Sequence, residues 1–217
     1  HSSHMRMAGF FLAFEGIDGS GKSTAIAGLV KHLHQNGIAA LVTEEHTGGP
    51  IGRRIERMLH GQEPMIEPRE FQRLFVLDRK DHMTNIIEPA LEEQMLVITD
   101  RFWFSTIAYG MLVGTMAEFI TLHETVLGPG FRKSDLTILL DIPAAVAIQR
   151  IGRNRSDHTW FEKMEKLERI RANYLQLAQA GLTPVHVIDA TAPAEAIVNA
   201  IAEILDPALD IRGFVSN

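Results

Sequence analysis

The segment Gly16-Ile17-Asp18-Gly19-Ser20-Gly21-Lys22-Ser23 satisfies the pattern G-x-x-x-x-G-K-[ST] in full. Glycines at this spacing let the backbone fold tightly, so that successive N–H groups point at phosphate oxygens. A helix beginning at Ser23 would add a favourable field for an anion at its N-terminus. Lys22 then supplies a point charge to the outer phosphates of a nucleotide, and the Ser23 hydroxyl is a ligand for Mg²⁺. Asp18, inside the loop, is either a polar turn residue or a carboxylate close to the transferred phosphoryl group. Asp100-Arg101, after the apolar run Met95 to Thr99, is a second place for phosphate chemistry. There Asp100 would hold Mg²⁺ through water and Arg101 would clamp a phosphate with its fork of donors. The alternative is a solvated strand end with a local ion pair.

Two further groups carry chemistry. Phe75 and Arg79 stand four residues apart on one face of an expected helix. An aromatic face beside a planar donor suits a pyrimidine base. On spacing alone the alternative is ordinary core packing at Phe71, Leu74 and Phe75, with a surface charge at Arg79. The segment 150–157 concentrates arginine, and phosphoryl transfer spreads negative charge that arginine stabilises. The phosphate loop has no arginine of its own, so Arg153 and Arg155, on a mobile lid over about 150–160, are candidates for the reaction. Basic residues complementing a helix dipole are the alternative.

Elements must carry these groups to one place. Gly9 to Glu15 is almost wholly apolar, as a parallel strand covered on both faces requires. A helix is expected over Ser23 to Gln35, a strand over Ile38 to Val42, and a helix from Ile51 to His60. Pro68 opens a long helix through Leu91, followed by the strand Met95 to Thr99 and helical segments within Ser105 to Leu127. A fourth strand spans Leu136 to Leu140 and a helix Ala144 to Ile151. The remainder reads as a helix from Phe161 to Ala180, a strand from Val185 to Ile188 and a helix from Ala194 to Leu205. The run Glu162, Lys163, Glu165, Lys166, Glu168 reads as a solvated helix face. His32, His34, His60, His82 and His123 make no metal-ligand spacing. Alternating strands and helices imply an α/β fold with a five-stranded parallel sheet between helical layers.

His1-Ser2-Ser3-His4 reads as the remnant of an affinity tag, so residues 1–6 stand apart from a single domain over 7–217. The chain has 217 residues, with 21 lysines and arginines against 27 acidic residues and a net charge of −6. That balance argues against nucleic acid as a partner. No apolar run approaches the roughly 20 residues that span a bilayer, and there is no cysteine for disulfides or thiolate zinc sites. A soluble cytoplasmic protein without a membrane partner is expected.

The ordered pieces together resemble the thymidylate kinase family. They are Phe14 through Thr24, Leu77-Asp78-Arg79, Asp100-Arg101-Phe102, Ser105 through Tyr109, Leu139 through Pro143, Arg150 to Arg155 and Val187 through Ala190. The resemblance implies a P-loop NTPase fold with a flexible lid, usually dimeric, that passes the γ-phosphoryl of ATP to dTMP with Mg²⁺. It implies ATP on Gly16, Ile17, Asp18, Gly19, Ser20, Gly21, Lys22, Ser23 and Thr24. It also implies an acceptor site of Glu45, Phe75, Arg79, Arg101, Ser105, Thr106 and Tyr109. Phe75 would stack on the base, Arg79 would bond its carbonyl edge, Arg101 would grip the phosphate, and Tyr109 would sit by the sugar. The chain departs from the family pattern at His46, where proline is common, at Glu56, where an arginine is common, and at Gly110, where glutamine is frequent. All three lie on the acceptor side. Open alternatives are a kinase for another monophosphate, a deoxynucleoside or a small hydroxyl compound, a nucleotide-binding switch or ATPase with no acceptor, and a catalytically silent relative.

Overall fold

The computed structural model describes residues 9–152 and 158–214. Five strands form one parallel sheet: β1 (Phe10–Glu15), β2 (Ala40–Glu44), β3 (Leu96–Asp100), β4 (Leu136–Asp141) and β5 (Val185–Asp189). Their order across the sheet is β2-β3-β1-β4-β5. The central strand β1 has every residue buried, which is why its sequence FFLAFE shows no alternation. Phe14 pairs with Asp100 on one side and with Ile138 on the other. This register brings the ends of β1 and β3 level, so the loop after Glu15 and the turn after Asp100 leave the same sheet edge.

Helices α1 (Lys22–Gln35) and α9 (Ala194–Ile211) pack together, and α5 (Trp103–Gly110) packs on α8 (His158–Gln179). α2 (Pro50–Leu59) packs on α3 (Pro68–His82), α3 and α5 pack on α6 (Met116–Leu127), and α7 (Ala144–Ile151) packs on α8. α1 forms because Ala25, Ile26, Leu29 and Leu33 fall on one buried face.

Three element boundaries differ from the sequence reading, each for a physical reason. Ile38 belongs to the close of α1 instead of opening β2. Its N–H donates to the Leu33 carbonyl at 2.9 Å and its side chain is buried, which is a Schellman closure. The helix expected to run from Pro68 to Leu91 ends at His82. A π-helical turn, Met83–Ile87, follows, and then α4 (Glu88–Glu92). Pro89 lacks an N–H and its ring collides with an α-helical carbonyl four residues back, and the wider turn makes room. α9 continues past Leu205, through Pro207, because Leu209 is fully buried on the core.

Candidate functional site

β1 runs into the loop 16–21, and α1 begins at Lys22. Gly19 sits at φ 84, and a Cβ there would stand 2.5 Å from the Ala147 carbonyl oxygen, so only glycine fits. The Lys22 ammonium lies over the loop and donates to the carbonyls of Gly16 at 2.9 Å and Ile17 at 3.2 Å. Burial, with Arg101 nearby, pushes its pKa down to about 7, against the pull of Asp100, Asp18 and Glu15. An anion on the loop would restore its charge. Ser23 is exposed at the head of α1, and Asp100 is half-buried at the end of β3. Among the described residues no three His, Asp or Glu side chains gather as a metal cage. One hydroxyl and a carboxylate or two suit Mg²⁺, which takes its other ligands from phosphate and water.

Arg101 adopts the left-handed conformation, φ 75. Two bonds hold it there. Its N–H donates to the Phe14 carbonyl at 2.9 Å, and its own carbonyl accepts from the Thr99 hydroxyl at 2.8 Å. The guanidinium therefore leaves the sheet edge and meets Asp18 of the loop at 2.7 Å. Its other nitrogen donates to the hydroxyls of Ser105 and Tyr174, each at 3.0 Å. Beneath this group Glu15 is fully buried. It accepts from the Ser105 hydroxyl at 2.6 Å and from the amides of Ser105 and Phe102 at 3.0 and 3.2 Å. Burial outweighs these donors and lifts its carboxyl to about 7.

A cavity of about 520 Å³ opens beside this pair, lined by Asp18, Glu45, Phe75, Arg79, Arg101, Ser105, Thr106 and Tyr109 among others. The seven residues assigned from sequence to an acceptor site thus meet in one place. Phe75 is half-buried, in edge contact with Phe71 at 5.1 Å and with His46 at 6.1 Å. Neither Phe71 nor Leu74 is a fully buried core residue.

Arg79 is only 1% exposed, which overturns the surface-charge alternative. Its five N–H donors all find protein acceptors. Nε and Nη2 donate to Glu45 Oε1 at 2.9 and 2.6 Å, and Nη2 also to the Phe102 carbonyl at 2.9 Å. Nη1 donates to Thr106 Oγ1 at 3.1 Å and His123 Nε2 at 2.8 Å. Every donor thus has a partner in the wall, while the residue also lines the cavity. Burial would raise the Glu45 carboxyl, but Arg79 and His82 outweigh it and hold it below the usual range. His82 bonds Glu45 Oε2 through Nδ1 at 2.7 Å and Thr43 through Nε2 at 2.7 Å. Burial and the Arg79 charge push His123 down to about 3. The neutral ring accepts from Arg79 while its Nδ1 donates to the Phe119 carbonyl at 2.7 Å.

The departures from the family pattern also find their places. His46, which lines the cavity, and Glu56 hydrogen-bond to each other. Gly110 packs flat under Phe119, and a Cβ would come within 2.7 Å of that ring. The loop after His46 is pinned by Asp78, which accepts from the Thr47 amide and hydroxyl at 2.8 and 2.6 Å.

Sequence reasoning missed Glu15, Tyr174, His82 and His123 as parts of the site, and counted Arg150 only within the lid segment. Arg150 donates to the Ala190 carbonyl at 2.7 Å, and its Nη1 lies 3.7 Å from where a Cβ on Gly21 would be. The run assigned to a solvated face of α8 is exposed at all five positions, and two of them also carry a contact. Lys166 lines the cavity, and Glu168 accepts from the Ala144 amide at 2.7 Å, capping α7. Arg153 and Arg155 lie outside the described residues.

A family model described as thymidylate kinase matches residues 14–201. A probable thymidylate kinase of Pyrobaculum calidifontis is 40% identical over 92% of this chain and 97% of its own. A thymidylate kinase of Desulfovibrio desulfuricans is 36% identical over 94% and 98%. One of Dinoroseobacter shibae is 37% identical over 92% and 98%.

Proposed function

The chain belongs to the thymidylate kinase family, and from that premise we propose that it transfers the γ-phosphoryl group of ATP to dTMP, giving dTDP and ADP. The observation that carries the reading is the Asp18–Arg101 pair, which joins the phosphate loop to the acceptor cavity. The switch or ATPase alternative needs no such cavity.

ATP lies with its phosphates over the loop 16–24, facing Lys22. The acceptor monophosphate lies in the cavity with its ring on Phe75, its sugar by Tyr109 and its phosphate toward Arg101. Its attacking oxygen is already anionic near neutral pH, so no general base is required. Catalysis rests on alignment and on cations placed where charge develops. Mg²⁺ shared with the phosphates would be held through Ser23 and Asp100 and would neutralise that charge. Arg153 and Arg155 would close from the lid and exclude water. The same resemblance supports a homodimer working in the cytoplasm. No described helix is long and apolar enough to cross a membrane.

A coupled ADP-release assay over a panel of monophosphates tests the reading. The expected order is dTMP first, with dUMP behind it by about 10–200-fold, the worth of one methyl group in an apolar pocket. UMP turned over as well as dTMP would remove Tyr109 from the sugar. ADP release indifferent to every monophosphate would leave only the ATPase.

A further inference from the structure

Glu15 takes no part in the chemistry above, yet it is a carboxyl only 1% exposed at the end of the central strand. It does not line the cavity, whereas Arg101 and Ser105 above it do. Its three hydrogen bonds all come from donors. Oε1 accepts from the Ser105 hydroxyl at 2.6 Å and the Phe102 amide at 3.2 Å, and Oε2 accepts from the Ser105 amide at 3.0 Å. Two of these donors are main-chain amides at the head of α5, where Phe102 has no side chain to cap them. The third sets the direction of a chain of hydroxyls. Ser105 has one hydroxyl proton and gives it to Glu15, so toward Tyr174, 2.7 Å away, its oxygen can only accept. Tyr174 therefore spends its own proton on Ser105, and both oxygens are left to accept from Arg101 Nη1, at 3.0 Å each. Both arms of the guanidinium are then held, Nη1 by the hydroxyls and Nη2 by Asp18.

We propose that Glu15 is a positioning residue for phosphoryl transfer: from beneath the cavity it fixes the turn after β3 and the two hydroxyls that together aim Arg101 at the reacting phosphates. The inference rests on the acceptor reading above and adds to it a residue that touches neither substrate. A carboxylate suits the task because it only accepts. An amide of the same shape puts an N–H against the Phe102 amide in one orientation and against the Ser105 amide in the other, so the turn has to shift. Phe102 directly follows Arg101, whose own backbone is clamped at φ 75, so the shift passes to the guanidinium. A misplacement of about 1 Å in a group that orients reactants costs about a hundredfold in rate.

The test is Glu15→Gln, assayed with ATP and dTMP at pH 8, where the wild-type carboxyl, lifted to about 7, is ionised. kcat is expected to fall about 10–100-fold with KM for ATP unchanged. The loss should vanish once Arg101 is gone: Arg101→Met, with and without Glu15→Gln, should agree within about twofold. A merely structural Glu15 would slow both backgrounds alike, and that result overturns the proposal. Tyr174→Phe serves as a second background, in which Glu15→Gln should cost less than it does in the wild type. Should Glu15→Gln fail to fold, Ser105→Ala cuts the same chain of hydroxyls. Adding Tyr174→Phe to it should then cost less than about twofold, and a full further loss overturns the proposal. Normal turnover by the wild type and Glu15→Gln alike defeats this inference alone. Failure of the wild type to turn over dTMP defeats the acceptor reading, and this inference with it.

Discussion

Replacing Arg79 with methionine tests whether the wall of the acceptor cavity is held by one buried cation. The substitution keeps the length of the side chain and removes the charge and five donors. It leaves the Glu45 carboxylate, 3% exposed, with His82 as its remaining side-chain partner. Removing one partner of a buried ion pair costs about 3–5 kcal/mol, because the other charge stays buried. In a protein of this size that is a loss of about 6–20 °C in Tm. The pH dependence should change sign as well. In the native chain the depressed Glu45 pKa contributes stability that is present above the ordinary carboxylate pKa and lost as pH falls through the lowered one. Without Arg79, burial is opposed less, the carboxyl rises, and its contribution falls with increasing pH. Urea denaturation between pH 4 and 8 measures both effects. The double variant Glu45→Leu with Arg79→Met should regain at least about 1.5 kcal/mol over the sum of the single losses. A single variant within about 1 kcal/mol of wild type, or strictly additive losses, would refute the reasoning.

Glu15→Gln removes a carboxyl lifted to about 7 by burial. As pH rises from about 4.5 to 7 the unfolded chain releases this proton and the folded chain keeps it. The variant should therefore gain about 3 kcal/mol on wild type between pH 4 and pH 8, read from paired urea curves. A flat difference would contradict the burial. Tyr174→Phe deletes one hydroxyl bonded to Arg101, and kcat should drop about tenfold with KM for ATP unchanged. An undiminished kcat would show that Ser105 alone orients the guanidinium. Gly110→Ala should cost about 1–3 kcal/mol, because the new methyl meets the buried Phe119 ring. Chemical denaturation at neutral stability would mean that the ring moves aside.

The phosphate loop was readable from sequence because its chemistry is local: eight contiguous residues make one nest between a strand and a helix. The strands were readable for a similar reason, since β1 is buried on both faces and its run of apolar residues announces that. Phe75 and Arg79 were singled out through the resemblance, their spacing adding only a shared helix face, and the saturation of Arg79 was hidden because its acceptors come from Glu45, Phe102, Thr106 and His123, far apart in the chain. His82 and His123 show no motif between them, and each acquires a role only when the fold brings Arg79 and Glu45 alongside. Tyr174 carries a helical spacing that reads as packing. Its hydroxyl matters because α8 crosses α5 at Ser105. Lys166 sits in a run of alternating charges whose periodicity gives no hint that one of them overlooks a cavity. Pro89 and Pro207 act in opposite directions. One widened a helix into a π turn, and the other was absorbed by a helix whose burial beyond it outweighs the lost bond.

The left-handed peptide at Arg101 is clamped at both its N–H and its C=O. Its guanidinium therefore belongs mechanically to the sheet, the stiffest part of the molecule, and not to any helix that shifts. In the proposed reaction it would grip the two reactants from one side, as a fixed jaw. Opening for product release then falls to the helical side, where α3 and α8 carry the remaining contacts, and a variant that stiffens that side should slow release while leaving phosphoryl transfer on the enzyme as fast as before.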